Sequence, residues 1–135
     1  MGLHITATGL KEGCNFGYFT HGRFCVQLAY AAYDEKMGRL FEEFLLHRVE
    51  MQEDDIKFWN AHCDDGLDLL LYHSDCDGKL SPKECRAVYE AIKDLSLPMI
   101  AHNYGDASSE QYNLLERWKT MLKHCIKRRV NLYFS

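Results

Sequence analysis

The feature that most constrains the fold is the segment at residues 73–85, which reads His-Ser-Asp-Cys-Asp-Gly-Lys-Leu-Ser-Pro-Lys-Glu-Cys. An apolar run at residues 67–72 precedes it, and an amphipathic pattern at residues 86–95 follows it. This layout is typical of a helix–loop–helix unit whose loop binds calcium and turns sharply at a glycine in position six. Gly78 falls at that position. The sequence therefore predicts an EF-hand-like unit around which the rest of the chain packs.

The candidate calcium ligands of this loop all follow from the placement of Gly78. Calcium takes about six to eight oxygen ligands, and only glycine turns the backbone tightly enough to gather them. Position one is normally Asp but is His here, and no other frame keeps the glycine in place. The sequence therefore predicts weak Ca²⁺ binding or a purely structural loop, and no other cofactor. The candidate metal-binding residues are His73, Asp75, Asp77, Lys79 through its carbonyl, Ser81 and Glu84.

The end of the same segment also has a purely structural interpretation. Ser81, Pro82 and Glu84 have the spacing of a helix start, with Ser as the N-cap and Glu closing a capping box. Calcium loops use their last residues in the same way, so the two interpretations overlap.

Two further interpretations of the segment involve a metal. His73, Cys76 and Cys85 form an alternative zinc site, although the paired Cys-x-x-Cys or His-x-x-x-His ligands typical of zinc are absent from the sequence. The other alternative is a calcium- or magnesium-dependent enzyme that uses His73, Asp75, Asp77 and Glu84. The sequence contains no Gly-x-Ser-x-Gly elbow and no metalloprotease helix. We therefore assign no catalytic residue and do not expect an enzyme.

Length and composition predict one globular domain spanning residues 1–135. Apolar residues make up 47% of the chain and charged residues 27%, which is enough apolar surface for a real core. No apolar run reaches the length of a membrane span, and the N-terminus does not have the pattern of an export signal. We therefore expect a soluble cytoplasmic protein without a membrane partner, in which the six scattered cysteines are reduced thiols.

The charge distribution is uneven. Nine acidic residues and one basic residue lie between positions 50 and 77, and six basic residues and no acidic one lie between positions 117 and 129. The net charge is −4, and the chain has no finger, helix-turn-helix or RNA-recognition signature, so we do not expect nucleic acid as a partner. The basic end of the last helix, Lys127, Arg128 and Arg129, is one candidate contact surface.

A second candidate contact surface lies in the glycine-rich N-terminal part. Phe16 and Tyr18 crowd into a segment punctuated by glycines, and Arg23 follows where a helix begins. No phosphate-loop or dinucleotide fingerprint is present, so this segment is interpreted as a loop packed by its own aromatic residues.

The periodicity of the chain predicts a mainly α fold with short extended segments at both termini. Residues 3–8 alternate like a strand, and the apolar tail at residues 130–135 is expected to pair with them. Helical periodicity runs from residue 20, and Gly38 is expected to separate two helices or to bend one. The same periodicity places several apolar residues in the core, namely Phe41, Phe44, Val49, Ile56 and Trp59.

The segment at residues 73–85 also resembles one found in small, mostly uncharacterised proteins of phages, prophages and bacteria. The shared phrase is His-Ser-Asp-Cys-Asp-Gly, an apolar residue, Pro, an acidic residue and Cys, and it covers about a tenth of the chain. The resemblance implies that His73 and the two cysteines belong to the design of the family. It also implies a non-enzymatic binding protein that acts in the host cytoplasm on a host protein or small ligand, for instance as an inhibitor or ligand sponge against host defence.

Overall fold

The computed structural model describes residues 3–11, 13–74, 77–95 and 109–135. Within these ranges the chain is mainly helical, as predicted. The helices are α1 (Tyr18–Ala32), α2 (Glu35–Leu46), α3 (Glu53–His62), α4 (Asp65–Leu71), α5 (Pro82–Ile92) and α6 (Ser109–Arg128). No helix in the described ranges combines the length and the apolar character needed to cross a membrane.

A small antiparallel sheet joins the two ends of the described chain. Its strands are β1 (Leu3–Thr6), β2 (Cys14–Phe16), β3 (Lys79–Leu80) and β4 (Leu132–Phe134), in the order β2-β1-β4-β3. The C-terminal segment pairs with the N-terminal strand, with Ile5 opposite Phe134. This pairing was predicted from the apolar character of the tail, which the sheet buries at Leu132 and Phe134.

The third strand lies inside the loop that the sequence singled out. Leu80 pairs with Leu132, and Lys79 pairs with Tyr133. The loop between α4 and α5 is thus fastened to the edge of the sheet by β4. The predicted helix–loop–helix layout is present, with α4 ending at Leu71 and α5 beginning at Pro82.

One buried core connects the helices and the sheet. Helix α6 contributes a stripe of buried side chains and packs mainly against α5. The largest fully buried side chains are Trp118, Phe24, Phe41, Leu3, Ile5, Leu28, Met37, Leu67, Leu70, Leu80, Ile92 and Leu122.

Gly38 does not separate two helices, which was one of the two alternatives predicted for it. The break between α1 and α2 lies at Tyr33 and Asp34, where the Asp34 side chain accepts a hydrogen bond from the N–H of Met37 and caps α2. Gly38 lies inside α2 and is buried. A Cβ atom there would lie 2.5 Å from Cδ1 of Tyr30, so the glycine allows α1 and α2 to pack closely.

Three apolar residues predicted to lie in the core are exposed. Phe44 is 36% exposed, Val49 50% and Ile56 47%. Phe41 and Trp59 are buried as predicted. The apolar faces of α2 and α3 therefore extend beyond the core, and Phe44 and Ile56 on their outer parts face solvent.

Candidate functional site

In the loop between α4 and α5, both ring nitrogens of His73 face backbone carbonyl oxygens. Nδ1 lies 2.8 Å from the oxygen of Ser74, and Nε2 lies 3.1 Å from the oxygen of Lys79. The ring also stacks on Phe134, with centroids 4.0 Å apart and planes inclined by 27°. A ligand role for His73 requires a ring lone pair to be turned towards a metal instead of a carbonyl.

Two backbone carbonyls near the sharp turn of the loop, those of Gly78 and Lys79, have protein partners. The carbonyl of Lys79 is the one that calcium would bind at position seven, and it lies against His73. The carbonyl of Gly78 accepts a hydrogen bond of 2.9 Å from the N–H of Phe134. Gly78 has a φ of +92°, the left-handed conformation that the sharp turn of the loop requires.

The predicted capping box at the end of the loop is confirmed. The hydroxyl of Ser81 accepts from the N–H of Glu84 at 3.1 Å, and the Glu84 carboxylate accepts from the N–H of Ser81 at 2.9 Å. One oxygen of the position-twelve carboxylate is thus engaged in starting α5. Asp77, which directly precedes Gly78, is exposed.

Asp75 and Cys76 lie outside the described residues, so the predicted metal sites are described only in part. Cys85, the other thiol of the zinc alternative, is fully buried and donates to the carbonyl of Leu80 at 3.7 Å. A hydrogen bond with Cys125, together with burial, raises the pKa of Cys85. In the described ranges, no three His, Cys, Asp or Glu side chains are grouped as a metal ion would require.

The two predicted contact surfaces lie on different elements. Tyr18 is half-buried in the first turn of α1, Arg23 lies one turn further along, and the side chain of Phe16 is outside the described part of the structure. Lys127 and Arg128 are exposed in the last turn of α6, and Arg129 follows with a φ of +57°. The cations suit the negative end of the helix dipole.

A third surface, which the sequence analysis did not identify, is an apolar groove of about 560 Å³ between α2, α3 and the end of α4. Three of the five large apolar side chains that are exposed in the described ranges, Phe44, Ile56 and Tyr72, line this groove. We call it the aromatic groove, and its lining residues are Phe44, Glu50, Met51, Ile56, Trp59, Asn60, Asp68 and Tyr72.

The aromatic rings of the groove hold each other in place. The Tyr72 ring is 5.7 Å from that of Trp59 at 88° and 5.7 Å from that of Phe44 at 48°. It also lies edge-on to Phe41, with centroids 5.5 Å apart. Such edge-to-face pairs are favourable beyond the area that they bury. Tyr72 is 43% exposed, so part of this ordered cluster faces solvent.

The carboxylate of Asp68 is the fixed polar group of the aromatic groove. It accepts hydrogen bonds from the indole N–H of Trp59 at 2.8 Å and from the hydroxyl of Tyr33 at 3.0 Å. That hydroxyl in turn accepts from the N–H of Asp64 at 2.9 Å. Burial raises the pKa of Asp68, and the hydrogen bonds from Trp59 and Tyr33 counteract part of this effect.

The aromatic groove is negatively charged. Its lining contains two carboxylates, Glu50 and Asp68, and neither Lys nor Arg. Two nearby cations are engaged elsewhere: Arg39 forms an ion pair with Glu35 at 2.7 Å, and the ammonium of Lys36 lies 3.9 Å from the centroid of the Phe58 ring. Arg48 lies beside Phe44 and Glu50 but does not line the groove. An apolar groove lined by carboxylates is complementary to a partner that is both apolar and basic.

The sequence contained a signal for this groove. In α2 the apolar positions 37, 40, 41, 44 and 45 form a stripe wider than one packing partner needs, and three acidic residues directly precede the apolar position 56 in α3. Periodicity identifies apolar faces, but it does not show which part of a wide face another element covers.

Comparison of the chain with protein-family models, curated proteins and solved structures gave no significant match. The protein is therefore described by its fold and site. It is a mainly helical domain with a four-stranded antiparallel sheet, a loop fastened to that sheet and an acidic aromatic groove.

Proposed function

We propose that this chain is a non-enzymatic binding protein that docks a partner protein in the aromatic groove. The observation that carries the proposal is the clustering of the exposed apolar side chains Phe44, Ile56 and Tyr72 around one groove with an acidic lining. Contiguous exposed apolar surface of this kind marks interaction sites in folded proteins. The occupant is a segment of the partner that combines apolar and basic residues, such as a basic amphipathic helix.

A macromolecular partner suits this groove better than a sequestered small ligand. Small-molecule sites bury about 70–90% of their ligand in a concave pocket. Here the walls at Phe44, Ile56 and Tyr72 are between 36% and 47% exposed, so the groove is open along its length. An open apolar groove with a charged rim has the anatomy of a protein interface.

The loop at residues 73–85 is structural in this proposal. Its carbonyls at Gly78 and Lys79 have protein partners, and Glu84 caps α5. If the resemblance to phage and prophage proteins extends beyond this loop, the partner is a protein of the host cytoplasm, and the effect of docking is inhibition of a defence component.

The test uses a model peptide of about 18 residues, enough for about five helical turns, with Leu on one face of the helix and Arg on the other. Its counterparts replace every Arg by Glu, or keep the composition in a scrambled order. We expect the Leu–Arg helix to bind in calorimetry and the other two peptides to bind at least about tenfold more weakly.

Matched variants locate the peptide. Ile56→Ser removes an exposed apolar side chain from the groove, and Tyr133→Ser removes one of similar exposure, 45%, from β4. We expect Ile56→Ser to reduce the affinity by roughly tenfold and Tyr133→Ser to leave it unchanged. The proposal is overturned if none of the peptides binds at about 1 mM, or if the two variants have equal effects.

A further inference from the structure

Asp68 is the most precisely held charged group in the aromatic groove. Donors from two different helices fix its two oxygens, Tyr33 at the end of α1 and Trp59 in α3. These donors place the carboxylate before any ligand arrives, so no side-chain entropy is lost in orienting it.

The carboxylate of Asp68 keeps unused capacity for hydrogen bonds. An ionised carboxylate offers about four lone-pair sites. Tyr33 and Trp59 occupy one on each oxygen, and the thiol of Cys63 also hydrogen-bonds this carboxylate. A lone pair therefore remains for a further donor, such as an N–H of a guanidinium group.

The aromatic rings beside Asp68 also favour a guanidinium group. Phe44 and Tyr72 line the groove beside Asp68, and their centroids are 5.7 Å apart with planes inclined by 48°. A planar guanidinium stacks on aromatic faces, whereas an ammonium is a compact, strongly hydrated charge that loses more on leaving water. Partial burial of Asp68 strengthens the attraction, because the incoming cation supplies the charge that burial leaves unbalanced.

We propose that the aromatic groove holds an arginine side chain of the partner, with its guanidinium on the exposed part of the Tyr72 ring and paired with the carboxylate of Asp68. This assignment rests on the proposed docking function and names the residue of the partner that anchors it. Asp68 is then the residue that determines specificity for a cationic anchor.

The experiment titrates the protein with N-acetyl-arginine amide, N-acetyl-lysine amide and N-acetyl-citrulline amide. Citrulline has nearly the shape of arginine but no charge. The readout is the indole N–H signal of Trp59 in NMR spectra. Only two indole signals occur, and the other belongs to Trp118, which is fully buried. We expect a saturable shift of the Trp59 signal with arginine, and affinities at least about tenfold lower for citrulline and several-fold lower for lysine.

Variants identify the groups that bind. Asp68→Asn keeps the shape and a hydrogen-bond acceptor for Trp59, and we expect it to lower the affinity for the arginine compound by roughly tenfold. Asp65→Asn removes an exposed carboxylate from the same helix and serves as the matched control. Tyr72→Leu, which keeps apolar volume but removes the ring face, should lower the affinity several-fold.

The possible outcomes separate this inference from the docking function. If Ile56→Ser weakens the Leu–Arg peptide but Asp68→Asn weakens neither the peptide nor the arginine compound, the groove docks a partner and the arginine assignment is overturned. Equal binding of citrulline and arginine also overturns it. If the arginine compound binds while no peptide does, the cation site stands and the docking function fails.

Discussion

The imidazole ring of His73 lies 4.0 Å from the ring of Phe134, stacked and nearly parallel, so the first residue of the calcium-like loop packs against the last described strand. The same ring faces the carbonyl of Lys79 at 3.1 Å. A ring nitrogen of His73 thus faces the carbonyl that a calcium loop would direct towards its ion. His73 fastens the loop to the sheet.

Replacing His73 by Ala should therefore destabilise the fold in the absence of any metal. The variant loses an aromatic contact worth about 0.5–1.5 kcal/mol and a hydrogen bond worth about 1 kcal/mol. We expect a loss of roughly 1–3 kcal/mol in the free energy of unfolding, measured by urea denaturation. Asp77→Asn changes an exposed side chain of the same loop and should stay within about 0.5 kcal/mol of the parent. Equal losses in the two variants would contradict the role given to His73.

The response to calcium should change when position one changes. We expect EDTA to leave the melting temperature of the parent protein unchanged, because protein groups satisfy the carbonyls of Gly78 and Lys79. His73→Asp restores the usual first ligand, so its melting temperature should be lower than that of the parent without calcium and should rise when calcium is added. A parent protein whose melting temperature falls in EDTA would make the loop a working metal site.

Ser81→Ala should weaken the start of α5. The substitution removes the oxygen that accepts from the N–H of Glu84, and loss of such an N-cap costs about 0.5–2 kcal/mol. Urea denaturation measures this cost. Ser81→Asp keeps a capping oxygen and should recover most of the stability. If Ser81→Asp is as unstable as Ser81→Ala, the hydroxyl has a role other than capping.

Asp68 makes the stability of the fold depend on pH. Because burial raises its pKa, the folded protein retains a proton at pH values where the unfolded chain, with a pKa near 3.8, has lost it. The stability contributed by Asp68 is therefore fully present below the unfolded pKa and is lost as the pH rises through the folded pKa. Asn does not titrate, so the melting temperature of Asp68→Asn relative to the parent should rise with pH above 3.8 and then level off. A constant difference across this range would show that the carboxyl of Asp68 has the same pKa in both states.

Thiol reactivity should follow burial. Cys14, Cys25, Cys85 and Cys125 are buried, whereas Cys63 is partly exposed. In a Cys76→Ser background, which removes the cysteine outside the described residues, we expect one thiol to react with a disulfide reagent before unfolding and four to react only after it. Adding Cys63→Ser should abolish the early reaction. An early reaction that survives this change would contradict the burial of the other thiols.

Much of the fold could be predicted because its determinants are local or strongly periodic. The capping box of Ser81 and Glu84 marks the start of α5, and the helical period of the apolar residues indicates the helices themselves. The pairing of β4 with β1 was predicted from the apolar tail alone. The close packing at Gly38 was not predicted, because it depends on the ring of Tyr30, which another helix supplies.

The aromatic groove could not be predicted by the same means. Phe41 and Phe44 lie three residues apart on α2, and both satisfy the helical period, yet Phe41 is buried and Phe44 is exposed. The difference arises from where α3 and the end of α4 stop covering α2, which is a property of tertiary packing. Asp68 is a comparable case, since Tyr33 and Trp59 lie far from it in sequence or on another helix.

Strand β4 lies between β1 and β3 in the sheet, although it follows every helix in the chain. During synthesis β1 is made before the helices, yet β4, one of its two partner strands, is made only after α6 is complete. Until then the edge of β1 and the loop around Gly78 both lack the strand that joins them. The helices can pack through contacts between residues close in sequence before the sheet is complete. Pairing of β4 with β1 and β3 should therefore be a late and comparatively slow step in folding.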